Sequence, residues 1–303
     1  MKKLLSVVVI AVLSMSMLLT GCGEKKDSGK ANASSDKEIL IVSFGTSYSN
    51  SRHVTIGAIE DAIREAYPDY QVRRAFTAQI IIDKLKKEEN IEIDNVKQAL
   101  DRAVANGVKT LIVQPTHLMN GLEYNDLKKE LDKYKDKFDK IALGEPLLTS
   151  DEDYKQVITA ITNDTKEYLD GETAICFMGH GTEAESNKVY ATMQEKLKAA
   201  GYNDYFVGTV EAKPSVDDVI AQVKESGKYK RVILQPLMVV AGDHANNDMA
   251  GNEEDSWASK FKAAGFEVKP VLKGLGQNYD IQKIYLEHVK AAIDLSLIHI
   301  SEP

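Results

Sequence analysis

Cysteine is scarce, with two in 303 residues, so a disulfide-knit scaffold is excluded. Positive charge is also in deficit: 38 Lys and Arg face 46 Asp and Glu, a formal net of -8. No Lys/Arg run or basic helix stands out to neutralise phosphates, which argues against nucleic acid as a partner. The GxxxxGK[ST] loop, the strand-linked GxGxxG fingerprint, the GxSxG elbow and HExxH are all absent, and GLG at Gly274–Gly276 is too short to count. Nucleotide-dependent and serine-hydrolase chemistries therefore lose their best support, and no nucleotide cofactor is expected. The chain that remains is 43% hydrophobic and 28% charged, an ordinary globular composition that suits one large domain or two medium ones.

The ends do not read as parts of the fold. Residues 1–21 open with Lys2 and Lys3, continue in an apolar run from Leu4 to Leu19 and close on small residues, the form of an export signal. Leu19-Thr20-Gly21-Cys22 resembles a bacterial lipobox, in which Cys22 receives the lipid. The alternatives are a plain secretory signal with an incidental cysteine, or a single membrane span. Acyl chains contribute about 0.8 kcal/mol per buried methylene, so several together would hold a domain at a membrane. The expected location is the outer face of the cytoplasmic membrane or the periplasm. Residues 22–37 contain no large apolar residue over EKKDSGKANASSDKE and read as a flexible tether. Loss of residues 1–21 leaves 36 basic against 46 acidic side chains, so the negative charge belongs to the folded part. With Cys22 blocked, Cys176 has no partner for a disulfide. SLIHISEP, residues 296–303, follows an amphipathic helix and reads as a translated adapter tail foreign to the protein, the alternative being a short C-terminal strand; His299 is set aside with it.

Between the ends the pattern is strand, helix, strand. EILIVSFGTS is a nearly continuous apolar run breaking at Gly45, and HVTIGAIEDAIREAY places Ile56, Ile59, Ile63 and Ala66 at helical spacing ahead of Pro68. Further strands read YQVRRAFT, KTLIVQPTH, KIALGEPLL, TAICFMGHG, DYFVGTVEA, RVILQPLMVV and FEVKPVLKG, with amphipathic segments between most of them. This is an α/β chain with mainly parallel sheets flanked by helices. KTLIVQPTHLMNG and KRVILQPLMVVAG share a Gln-Pro pair, Gln114-Pro115 and Gln235-Pro236, and a glycine six residues beyond each proline. Two similar α/β halves follow, 38–150 and 151–295, with ligands expected beyond the carboxyl ends of the strands.

Six histidines are present, and three, His117, His180 and His244, fall just past expected strands. His53, His288 and His299 carry no such placement. Glu211 lies past DYFVGTV, and Glu123 sits in NGLEY. Two imidazoles with a carboxylate suit a borderline divalent metal, and neutral imidazole also accepts protons near neutral pH. Taken singly, each histidine is better explained as a hydrogen-bonded loop residue; the coincidence across both halves favours a site.

SFGTSY, QPTHLMNGLEY, MGHGT, VGTVEAKPS and QPLMVVAGDHANNDMAG, in this order, resemble the anaerobic sirohydrochlorin cobaltochelatases, the CbiK type of class II chelatase, over about residues 37–293. The resemblance implies two flavodoxin-like or Rossmann-like α/β halves around a cleft and ATP-independent insertion of Co²⁺, with Fe²⁺ or Ni²⁺ as other substrate metals, into a tetrapyrrole on the way to cobalamin. It implies His180, Glu211 and His244 as the metal ligands, with both histidines catalytic, and Glu123 as a catalytic acidic residue beside the ring. Ser43, Gly45, Thr46 and His117 are expected to contact the ring, the first three by position only. Family members commonly carry a glycine and an aromatic residue after the metal-binding glutamate; here Ala212 and Lys213 follow. The runner-up function is a non-catalytic exported lipoprotein that binds tetrapyrrole or metal for uptake, suggested because cobalamin synthesis is cytoplasmic and the leader points outward. A generic solute-binding lipoprotein would explain the leader and the two halves but not the histidines. A homo-oligomer is left open.

Overall fold

The computed structural model describes residues 36–298. The expected signal, lipobox and most of the tether, with Cys22 and His299, lie outside the described residues. Among the described residues, nine strands form two parallel sheets. The first has the order β3-β2-β1-β4-β5, from β1 (Lys37–Ser43), β2 (Gln71–Phe76), β3 (Asp94–Asn95), β4 (Thr110–Pro115) and β5 (Lys140–Leu143). The second has the order β7-β6-β8-β9, from β6 (Thr173–Gly179), β7 (Tyr205–Thr209), β8 (Arg231–Pro236) and β9 (Glu267–Pro270). The central strands β1 and β6 are buried along nearly their whole length, as strands covered by helices on both faces must be. Each of their buried Ile, Val, Leu or Phe side chains contributes about 1.5–3 kcal/mol.

Four strands of the first sheet, β2-β1-β4-β5, repeat the order β7-β6-β8-β9 of the second, and β3 is an added edge strand. Ile41 pairs with Gln114 in the first sheet and Phe177 with Gln235 in the second, so the Gln-Pro strands hold the same register against their central strands. Beyond the strands the backbone bonds also correspond. Thr77 and Ala78 N–H donate to the carbonyls of Ser43 and Phe44, at 2.9 and 3.2 Å; Val210 and Glu211 N–H donate to Gly179 and His180, at 3.0 and 2.9 Å.

The strand β3 is absent from the sequence reading because two polar residues carry no alternation. Its Asp94 receives Arg73 from β2 and both arms of Arg102 from the helix Val96–Ala105, so it ties the sheet edge to a helix by charge.

Each half has an apolar cluster of its own, with Leu40, Val42, Leu100 and Val113 in the first and Cys176, Val232, Leu234 and Phe261 in the second, but the halves also share a third. The inner faces of both sheets share one apolar cluster, in which Ile39, Ile41 and Ile112 meet Ile175, Phe177 and Ile233 through intervening helices. The helix Tyr279–Ile298, which follows the second sheet in sequence, packs on the first. From it the Tyr285 hydroxyl donates to the Thr116 carbonyl at 3.0 Å, and His288 bridges the Glu145 carbonyl and the Asp153 carboxylate, both at 3.0 Å. His288, bland in sequence, is thus part of a clasp between the halves. The same helix runs on to Ile298, and Ser296 is buried with its hydroxyl donating to Ile293. The first three residues of the segment read as foreign therefore continue a helix, since Leu295–Ile298 extends the pattern without a breaking residue. Cys176 lies wholly buried at the centre of β6, where burial pushes its thiol well up and leaves it unreactive.

Candidate active site

A cleft of about 690 Å³ opens where the carboxyl ends of β1, β4, β6, β7 and β8 converge, the position at which parallel α/β sheets bind ligands. His180, Glu211 and His244 come together there, with one ligand atom from each lying within 4.8 Å of the others. His180 sits one residue past β6, in a turn that Gly181 makes possible. Its φ is +89°, and a Cβ there would lie 2.9 Å from the Ala212 amide nitrogen. Glu211 follows β7, and its backbone N–H on the His180 carbonyl locks the two residues to one another. The His180 and His244 rings meet edge to face, 4.5 Å between centroids.

Each imidazole is oriented through its other nitrogen. His180 Nδ1 donates to the Gly181 carbonyl at 2.9 Å, and His244 Nδ1 donates to the Asp248 carboxylate at 2.8 Å. Both Nε2 lone pairs are then free, and His180 Nε2 lies 3.8 Å from Glu211 Oε1. Asp248 reaches back because residues 245–249 form a π-helical turn starting just after His244. A hydrogen-bonded carboxylate behind a ligating imidazole raises its basicity and fixes the ring. Two imidazole nitrogens and a carboxylate oxygen can hold a borderline divalent cation while leaving coordination positions open, the arrangement of a reactive rather than a structural site.

The opposite wall comes from the first half and is made differently. By register, Phe44 corresponds to His180, Ala78 to Glu211, and Glu123, eight residues past Pro115, to His244. Only one of the three ligands thus has a polar counterpart. Phe44 is 47% exposed, and with Leu118, Met119 and Leu122 it gives the cleft an apolar face. Burial in the cleft pushes the Glu123 carboxyl up, against the opposing influence of His180. His117 lies 3.8 Å from Glu123, is nearly fully buried, and has both ring nitrogens without a partner; desolvation lowers it to about 4, so it is neutral.

The residues expected at the ring through the N-terminal turn divide. Ser43, Gly45 and Thr46 line the cleft, but the Ser43 hydroxyl accepts from Thr116 at 2.8 Å and serves the turn itself. Lys213, where the family commonly has an aromatic residue, points away and pairs with Asp218 at 2.7 Å, so it takes no part in the cleft. Sequence reasoning missed Asp248, Phe44, Tyr48, Glu183 and Asp243. Of these, Asp248 carried a readable signal, its spacing of four from His244 in DHANND.

Two facing parallel α/β halves around a cleft, with His180, Glu211 and His244 at the strand ends of one, are the arrangement that the resemblance to class II tetrapyrrole chelatases implies. Residues 37–294 match the family described as cobalt chelatase (CbiK), and the chain belongs to that family. The chain is similar to the sirohydrochlorin cobaltochelatase of Salmonella typhimurium, 37% identical over 86% of this chain and 98% of the relative. It is also similar to the sirohydrochlorin cobaltochelatase CbiKC of Nitratidesulfovibrio vulgaris, 29% identical over 85% and 90%. SirB from Bacillus subtilis, solved with Fe³⁺, shares the fold with a TM-score of 0.61 at 14% identity, over 84% of this chain and 95% of that one.

Proposed function

We propose that the protein inserts Co²⁺ into sirohydrochlorin without ATP, with His180, Glu211 and His244 as the metal ligands. The observation that carries this is the convergence of those three side chains, both imidazoles presenting Nε2, at the open end of a cleft with an apolar face opposite. Glu211 supplies charge and a third ligand. As the metal moves from the imidazoles to the ring, the vacated Nε2 atoms become acceptors for the two pyrrole N–H protons, so one M²⁺ leaves the site as two H⁺ enter. Phe44 and its apolar neighbours support the macrocycle face, and Glu123 with His117 borders it. A set of three ligands with open coordination is more than a carrier of intact tetrapyrrole needs, which favours catalysis over uptake. Fe²⁺ and Ni²⁺ suit the same donors, because selectivity among such ions follows geometry and supply.

Export and lipidation at Cys22 complete the proposal, supported by the charged start, apolar run and Leu19-Thr20-Gly21-Cys22 of the leader. Asp36 enters β1 at the end of the sheet opposite the cleft, so a tether attached there does not obstruct the cleft. Cys22→Ala is expected to shift the protein from the membrane to the soluble fraction; unchanged fractionation would refute the anchor.

The activity is tested with protein lacking residues 1–21, mixed with sirohydrochlorin and Co²⁺ while the ring's absorption is followed. Acceleration over the uncatalysed rate is expected. Tight ring binding without acceleration would instead establish a carrier.

A further inference from the structure

We infer that substrate addition is ordered, the divalent cation entering first and the tetrapyrrole second, and that Glu183 and Asp243 enforce the order. The inference rests on the chelatase reading above. Two independent features carry it.

The first is access. The three ligand side chains are reached from the open cleft, with His180 47%, Glu211 53% and His244 32% exposed. A flat macrocycle seated against Phe44 with its nitrogens facing the cluster covers those ligands. A cation arriving afterwards would have to pass the ring's edge, whereas one arriving earlier meets open solvent.

The second is charge. Apart from the imidazoles, the titratable carboxylates lining the cleft are Glu123, Glu183, Glu211 and Asp243, and among the described residues no Lys or Arg lines it. Glu183 and Asp243 are exposed at the rim, Asp243 accepting from Asn247 at 2.9 Å and from Tyr48 at 3.4 Å. Lys213, the nearest cation in sequence to the ligand Glu211, is turned onto Asp218. A cleft of this sign concentrates a divalent cation and raises its rate of capture. It opposes a ring whose periphery carries carboxylates. Seating M²⁺ on the cluster cancels two of the four formal negative charges and places a positive centre under the ring nitrogens, so the empty site repels what the loaded site attracts.

The test has a binding arm and a kinetic arm, both with protein lacking residues 1–21. Metal-free sirohydrochlorin is titrated against metal-free protein by fluorescence at low and high salt. Weak binding that strengthens as salt screens the repulsion is expected, whereas tight binding that weakens with salt overturns the charge argument. Glu183→Gln combined with Asp243→Asn is expected to tighten this ring binding by about tenfold and to slow Co²⁺ capture; unchanged ring affinity also overturns it. In initial-rate measurements, an N-methylated ring that cannot close around a metal is expected to be uncompetitive against Co²⁺. Noncompetitive or competitive inhibition against Co²⁺ overturns the order. Absence of any metal insertion under all conditions would instead refute the chelatase reading itself, so the two failures are distinct.

Discussion

Asp248 and His117 show how differently the protein treats two imidazoles. At His244 the Asp248 carboxylate accepts the Nδ1–H hydrogen bond, which presents Nε2 to the cleft. Asp248→Asn is expected to weaken Co²⁺ binding by about 10- to 100-fold with the fold intact, measured by calorimetric titration; unchanged affinity would assign Asp248 to the turn alone. His117 is held neutral by burial, at about 4 against an ordinary value of 6.5. Its folded value is depressed, so the unfolded chain binds the proton first. Stability is full above about pH 6.5 and declines as pH falls toward 4, by a few kcal/mol. His117→Phe is expected to flatten that decline in urea unfolding followed against pH, and an unchanged slope would contradict it. The sequence disclosed His180, Glu211 and His244 because imidazoles and a carboxylate just past buried strands are chemically conspicuous. Phe44 and Asp243 stayed hidden, since a phenylalanine or an aspartate in a loop is ordinary until its neighbours are known.

Among the elements, the turn after β6 has the least tolerance. Gly181 adopts a positive φ against the Ala212 backbone, and a Cβ on Gly179 would stand 2.1 Å from the Tyr190 ring, which is itself buried. Gly181→Ala is expected to cost more than about 1 kcal/mol in urea unfolding and to weaken Co²⁺ binding, because the turn carries His180 while Glu211 is bonded to its carbonyl. Wild-type stability and affinity would show that the turn relaxes freely. The buried parallel strands were legible as apolar runs broken by glycine. The two-residue β3 and the π-helical turn after His244 were not, because neither is long enough to impose a period on the sequence.

For the whole molecule, the repeated Gln-Pro strands disclosed two similar halves, but an amphipathic pattern says only that a helix buries one face, not against which sheet. The helix Tyr279–Ile298 crosses to the first sheet and joins the halves through Tyr285 and His288. Tyr285→Phe leaves the Thr116 carbonyl without this donor and is expected to destabilise both halves together, by about 1 kcal/mol in a single unfolding transition. Two separate transitions would mean that the shared core does not couple them. The two halves differ at the cleft within the same duplication: one copy carries His180, Glu211 and His244, and the other has Phe44, Ala78 and Glu123 at the corresponding places.

The central claim is that one cation is held by His180, Glu211 and His244 and passed from them to the ring. The most direct measurement is a single turnover: protein loaded with one equivalent of Co²⁺ is mixed with sirohydrochlorin, and the visible bands of protein-bound Co²⁺ and of the metallated ring are followed together. The account predicts one Co²⁺ per chain whose bands vanish at the rate the metallated ring appears, and loss of both signals in His180→Ala and His244→Ala proteins that remain folded. Wild-type Co²⁺ bands or wild-type transfer in either variant would contradict it.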